Sequence, residues 1–292
     1  MTGVWGYRLE HLDRLSTSRG IHEHALGETP RAEHGYCTDD NARLIVVLTR
    51  EPDEGAAQRM MRAALNLVLD AQDDEGRIRN RYGFHDYWSW TDAATTEDCW
   101  GRAVWALGAA AAAHPTQGVR VAARWSFEKC AQQRSPWPRA MAFAALGAAD
   151  LLLSDPQAHS AEALLIDALT SLGRPGADPW PWPEPRLTYA NAALAEALIA
   201  GGLALGDDAT TDHGLELLDW LVRIQTPAGH LSVVGHTGRG PRDSGPQFDQ
   251  QPIEVAALAD ACWRAWMATG DQRWASGLAL CADWFMGFND SL

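Results

Sequence analysis

GRAVWALGAAAAA, residues 101–113, is the stretch on which the reading of the fold turns. Its residues are small and apolar all round a helical wheel. A helix with one face in water would keep polar residues there at a period of 3.6, so this one is expected to be buried on every side with neighbours close by. The same composition returns in RAMAFAALGAADLLL (139–153), NAALAEALIAGGLALG (191–206) and IEVAALADACW (253–263). Between them lie ordinarily amphipathic segments, QRMMRAALNLVLDAQ (58–72) and HGLELLDWLVRIQ (213–225), suited to an outer layer. Small-residue helices begin near 39, 96, 138, 188 and 250, at intervals of roughly one helical hairpin plus loops.

Apolar periodicity predicts helices over Trp5–Ser16, Asp39–Arg50, Gly55–Gln72, Thr96–Ala113, Gly118–Gln133, Pro138–Leu153, Gln157–Leu172, Thr188–Leu205, Thr211–Gln225, Gln250–Thr269 and Arg273–Phe288. Strand patterns are nearly absent, HLSVVGH at 230–236 being the best short candidate. No linker or low-complexity segment divides the chain, so one domain over 1–292 is expected. Degenerate helical repeats with their polar residues gathered at one end favour a closed ring: an all-α, (α/α)6-type toroid of five to six hairpins, inner helices opening onto one funnel.

Composition narrows the function. Of 292 residues 46% are hydrophobic, enough for one large core, and the formal charge is −14. An acidic chain without a basic stripe argues against nucleic acid and anionic membranes, and suits a neutral or cationic small molecule or an oligosaccharide. No apolar run reaches the ~18 residues of a membrane span, and MTGVWGYRLEHLDRL lacks the features of a secretion signal, so the cytoplasm is the expected location. The five cysteines, 37, 99, 130, 262 and 281, are odd in number and widely spaced, which predicts reduced thiols. Neither a metal nor another cofactor is implied: HEH at 22–24 has no third ligand at a diagnostic spacing, and GHTGRG at 235–240 lacks the strand and Lys-Ser/Thr of a phosphate loop. Cys37 and Cys99 lie near helix starts, where a thiolate is favoured, but no triad signature accompanies them.

Fourteen tryptophans are unusual, and several sit in loops, where a flat indole can stack on a sugar ring or simply plug a loop onto helix ends. The polar residues cluster at the starts of the small-residue helices. The candidates for binding substrate are Tyr36, Asn41, Arg43, His85, Trp88, Trp90, Arg102, Trp137, Trp180, Trp182, Glu184, Tyr189, Asn191, His236, Gln250, Gln251 and Glu254. The candidate catalytic acids are Asp39, Asp40, Glu97, Asp98 and Asp249. TDDNAR and TTEDCWGR also read as ordinary N-terminal caps, in which one acid of each pair caps and the other points into the funnel. Separated carboxylates in an aromatic funnel are the equipment of a glycoside hydrolase, one acid protonating the leaving oxygen and another activating water or attacking the anomeric carbon. Loop histidines, including His34, His85, His230 and His236, give the alternative of a sugar epimerase or isomerase. A non-catalytic glycan-binding module associated with a glycosyltransferase is a third possibility.

The strings HGYCTDDNARLIVVL (34–48), TEDCWGRAVWALG (96–108), SPWPRAMAFAALG (135–147), WPWPEPRLTYANAALAEALIAGG (180–202) and QFDQQPIEVAALADACWRAWMATGD (247–271) resemble an uncharacterised bacterial glycosidase-like family. Its members are described as glycosidases or as extensions of glycosyltransferases and are similar to six-hairpin (α/α) toroid carbohydrate enzymes. The resemblance runs from RLEHLDRL (8–15) to the last helix and implies a toroid and a carbohydrate role. The chain departs from that pattern in having Cys99-Trp100 in place of Ser-His, and Tyr189-Ala190-Asn191 in place of Tyr-Asp-Asn.

Overall fold

A computed structural model describes residues 9–52, 54–84, 87–173, 175–176 and 179–291. Read above as one domain, the chain divides by its internal contacts into two compact units, Met1–Leu165 and Ile166–Leu292.

In the first unit the order is α1 (Glu10–Leu15), β1 (Ala25–Leu26), β2 (Thr29–Pro30), a 3-10 turn (Ala32–His34), β3 (Tyr36–Cys37), α2 (Thr38–Leu48), α3 (Gly55–Ala71), β4 (Arg81–Phe84), β5 (Trp88–Trp90), α4 (Asp98–Ala113), α5 (Gln117–Cys130) and α6 (Pro138–Ser154). Helix α2 packs on α4 and α4 on α6, while α3 backs α2 and α5 backs α4. Burial follows that layering. Helix α6 buries every residue from Arg139 to Ala149, whereas α5 buries only Val119, Ala123, Ser126, Phe127 and Cys130, a single helical stripe.

The small residues at 108 and 147 set the spacing of α4 and α6. A Cβ on Gly108 would lie 2.2 Å from the Gly147 carbonyl oxygen, and one on Gly147 would lie 2.3 Å from that of Val104. Backbone meets backbone there, and only hydrogen fits.

In the second unit, α7 (His159–Ser171, within which the division falls) is followed by α8 (Ala192–Leu205), α9 (Asp208–Ile224), α10 (Pro252–Thr269) and α11 (Gln272–Phe285). Helix α8 packs on α9 and α10, and α10 on α11. Burial along α8 is unbroken from Ala192 to Gly202, while α11 buries only Trp274, Gly277 and Cys281. A buried ion pair, Arg264 Nε to Glu196 Oε1 at 3.0 Å, ties α10 to α8. The outer helices α9 and α11 are capped by Asp207 and Asp271, whose carboxylates accept from backbone N–H groups of their own first turns.

The eleven α-helices among the described residues fall on the eleven segments expected from periodicity, with ends displaced by a few residues. The first expected helix begins at Trp5, outside the described residues, and is seen over Glu10–Leu15. Helix α8 starts at Ala192 instead of Thr188 because Ala190 takes a left-handed φ of 45°, which no helix accommodates. The expected strand at 230–236 is not one: the segment is irregular, with a single bridge from Gly235 to Gln250. The sheet forms instead from β3, β4 and β5, with Tyr82 opposite both Tyr36 and Trp90, and Phe84 opposite Trp88. No helix among the described residues is long and apolar enough to cross a membrane.

Gly108→Ala should lower the unfolding free energy by about 2 kcal/mol, since overpacked backbone must move apart. Gly118→Ala on α5, where an added Cβ meets nothing within 4 Å, should be neutral or slightly stabilising. Denaturant unfolding of the two variants checks the contrast.

Candidate functional site

The acids at the start of α2 do not cap it. The residue before the helix, Cys37, makes no side-chain cap bond. Asn80, from the approach to β4, does so instead: its Oδ1 accepts from Asp39 N at 3.2 Å, and its Nδ2 donates to Asp39 Oδ2 at 2.9 Å. Asp92 in turn holds that approach, accepting from Asn80 N and Arg81 N at 2.7 and 2.9 Å. The other oxygen of Asp39 pairs with Arg102 Nη1 of α4 at 2.9 Å, and Asp98 lies 3.6 Å from Nη2. The Arg102 guanidinium is buried and sits 4.7 Å over the Phe143 ring of α6. One cation thus links the starts of α2, α4 and α6.

Asp40 is the second aspartate, and it pairs with Arg43 Nη2 at 2.8 Å. Burial pushes its carboxyl up, against the pull of Arg43, and the neighbouring Asp39 adds to the rise. Asn41 is fully buried; its amide accepts from Ile21 N and donates to the Ile21 and Cys37 carbonyls, tying the preceding segment to α2. Glu97 precedes α4 as its N-cap residue without a side-chain cap bond, so the capping expected for TTEDCWGR is also absent. Burial pushes the Cys37 thiol up and that of Cys99 to about 12, which makes both poor nucleophiles.

Aromatic residues cover one face of the β4–β5 hairpin. Tyr82 and Trp88 stack at 6.0 Å, Phe84 lies 5.8 Å from Trp88, and Trp90 Nε1 donates to Asp70. Trp88 is partly exposed. Tyr36 lies 5.8 Å from Trp88 and stacks on His22. His85 lies outside the described residues. Trp137 is exposed at the start of α6.

The second unit holds a pocket of about 270 Å³, lined by Thr188, Tyr189, Gly235, His236, Gln251 and Glu254 among others. Glu254, buried on the first turn of α10, accepts from Ala190 N, from Asn191 N at 3.4 Å and from Asn191 Nδ2 at 2.8 Å. Its oxygens are therefore committed to the entry of α8. His236 stands on the opposite kind of support: its Nδ1 lies 3.4 Å from Asp249 Oδ2, and both side chains are largely exposed. Ala190 and Asp249, at φ 45° and 56°, are the only non-glycine residues with positive φ among the described residues; Ala190 follows the lining residue Tyr189 in sequence, and Asp249 pairs with the lining residue His236. Such strain persists only where surrounding structure enforces it.

Not every expected contact falls there. Trp180 and Trp182 pack against Trp220 of α9, with centroids 5.1 and 6.0 Å away, and donate to the Glu184 carbonyl and carboxylate. These two indoles plug a loop onto a helix. Gln250 is bound within a network to Gln247, Trp284 and Asp290. Sequence reasoning did not single out Asn80 or Asp290. An Asn before a strand and an Asp after the last helix carry no local signal. Among the described residues no cluster of three or more His, Cys, Asp or Glu side chains could hold a metal ion.

No family model matches the chain, and no curated protein matches it in sequence. Solved structures do match. A sugar epimerase from a ruminal bacterium superposes with a TM-score of 0.69 at 11% identity, covering 94% of this chain and 82% of that one. Cellobiose 2-epimerase from Bacillus thermoamylovorans B4167 gives 0.64 at 10% identity, covering 96% and 84%. The family 9 glycoside hydrolase endoglucanase J30 gives 0.55 at 12% identity, covering 85% of this chain but only 53% of that one, about half its length. At these identities the likeness establishes the fold class, the all-α (α/α)6 type found in carbohydrate enzymes.

Two outcomes follow from the first unit. Arg102→Met leaves Asp39 and Asp98 facing each other without their cation and should cost about 3 kcal/mol, part of which a second change, Asp39→Asn, restores; denaturant unfolding of both variants measures it. Because the folded state raises the Asp40 pKa, its contribution to stability is full below the ordinary carboxylate range and is lost as pH rises through the folded value. Asp40→Asn should therefore raise Tm at pH 7 and leave it nearly unchanged near pH 3.

Proposed function

We propose that this chain is a carbohydrate-active enzyme that epimerises or isomerises a reducing sugar, with His236 as its proton-transfer group. The observation that carries the reading is the His236–Asp249 pair at a pocket flanked by both strained residues. Asp249 beside Nδ1 orients the ring and favours the tautomer whose Nε2 is the base. In an open-chain aldose, C2–H is acidified by the C1 carbonyl. Nε2 takes that proton, the C–H electron pair becomes the C1–C2 double bond, and the C1 oxygen takes a proton to give an enediol. Return of a proton to the other face of C2, with loss of the O1 proton, yields the epimer; return to C1, with loss of the O2 proton, yields the ketose. Tyr189, in the lining of the same pocket, is the candidate to serve the C1 oxygen or the second face.

The likeness in fold to two sugar epimerases supports this class of reaction, and the DDNAR and FDQQP resemblance supports a carbohydrate substrate. Hydrolysis, the main reading of the sequence, has one observation in its favour: burial raises Asp40 as it would a proton donor. Against it, Asp39, Asp40, Asp98 and Glu254 are each engaged by an arginine or by N–H groups.

Incubation with free mono- and disaccharides in D2O should place deuterium on a sugar carbon. His236→Gln should reduce the rate by about two orders of magnitude or more, with Asp249→Asn causing a smaller loss. Reducing-sugar release from a glycan panel, abolished in Asp40→Asn, would overturn epimerisation in favour of hydrolysis. Binding without either turnover would leave the glycan-binding module.

A further inference from the structure

We infer that Asp290, in the segment after α11, is a positioning residue for the His236–Asp249 pair, acting through Gln250. The inference rests on the proton-transfer reading of that pocket. Two irregular segments carry the pair, 230–238 with His236 and 247–251 with Asp249. They are stitched together at their tips. Gly235 N donates to Gln247 Oε1 at 3.0 Å, Gln247 Nε2 donates to the Gly238 carbonyl at 2.9 Å, and Gly235 bridges to Gln250. The first segment is also held by Ser232 N, which donates to the Gln225 carbonyl at 2.8 Å, and by Arg186 Nη2, which donates to the Gly238 carbonyl at 3.2 Å, while the left-handed backbone of Asp249 would relax if its turn were released.

One carboxylate and one indole grip the turn at Gln250 from outside. Gln250 Nε2 donates to the Gln247 carbonyl at 2.9 Å and to Asp290 Oδ2 at 2.6 Å, while its Oε1 accepts from Trp284 Nε1 of α11 at 2.9 Å. The other oxygen of Asp290 meets His230 Nε2, on the first segment, at 2.8 Å. Asp290 therefore holds both segments at once, and its side chain is only 14% exposed. It reaches the pair through the residue next to Asp249 and through the segment that carries His236. Loss of this grip changes where the imidazole and carboxylate stand and leaves the packing of α8 and α10 intact.

The test uses the full chain and two readouts: amide hydrogen exchange over 230–238 and 247–251, and deuterium uptake into the sugar panel with kcat and KM resolved. Asp290→Ala removes both contacts. Asp290→Asn keeps an acceptor for Gln250 and loses the charge facing His230. Trp284→Phe removes the donor to Gln250 from the other side. The expected result is faster exchange in both segments for Asp290→Ala, with kcat reduced roughly tenfold or more and KM nearly unchanged, and smaller effects of the same kind for the other two. Exchange and kcat equal to wild type would overturn the inference, as would a loss confined to KM. Should Asp290→Ala not fold, the other two variants decide by the same criteria. If the wild type takes up no deuterium, the functional reading fails by itself, and amide exchange still decides whether Asp290 holds the segments.

Discussion

The first N–H groups of a helix have no partner inside the helix, and burying them bare costs about as much as a lost hydrogen bond each. The starts of α2 and α8 are buried, so each needs an acceptor from somewhere. In α9 and α11, which lie outside, the residue just before the helix supplies it, Asp207 or Asp271. In α2 and α8 the acceptor comes from another element: Asn80 reaches the start of α2, and Glu254 of α10 reaches the backbone entering α8. The polar residues at these buried starts serve first as joints between helices.

That division of labour decides which side chains remain for chemistry. A carboxylate bound by a buried arginine, or by three N–H groups, is fixed in place with its oxygens occupied. Asp39 and Asp98 on Arg102, Asp40 on Arg43 and Glu254 on the α8 entry answer to that description to different degrees, Asp40 least, because its environment favours the protonated form. Asp249 differs in kind. It is exposed, held in a backbone conformation that its residue type only tolerates, and turned toward an imidazole.

The helices and their two layers were legible in the sequence because burial on all sides leaves a mark on composition. GRAVWALGAAAAA and RAMAFAALGAADLLL need glycine where α4 and α6 touch, and their neighbours keep polar residues facing outward. The hairpin was less legible. RYGF and WSW alternate with the period of two that a strand requires, but over runs too short to separate from an aromatic loop. Helix starts misled in a specific way: Thr-Asp-Asp-Asn is as good a cap as it is a joint, and only the arrival of Asn80 from 41 residues away distinguishes the two. Asp290 was beyond reach for the same reason, since its partners are 40 and 60 residues distant.

Position 190 carries the remaining step. The resembling family has aspartate between the tyrosine and asparagine, and this chain has alanine, held at φ 45° with its N–H on Glu254. Aspartate tolerates that region better than alanine does, so the substitution does not serve the backbone. The position is buried. With alanine the backbone joint is kept and the carboxylate is gone. The pocket's lining keeps Tyr189, Glu254 and His236, the last paired with Asp249.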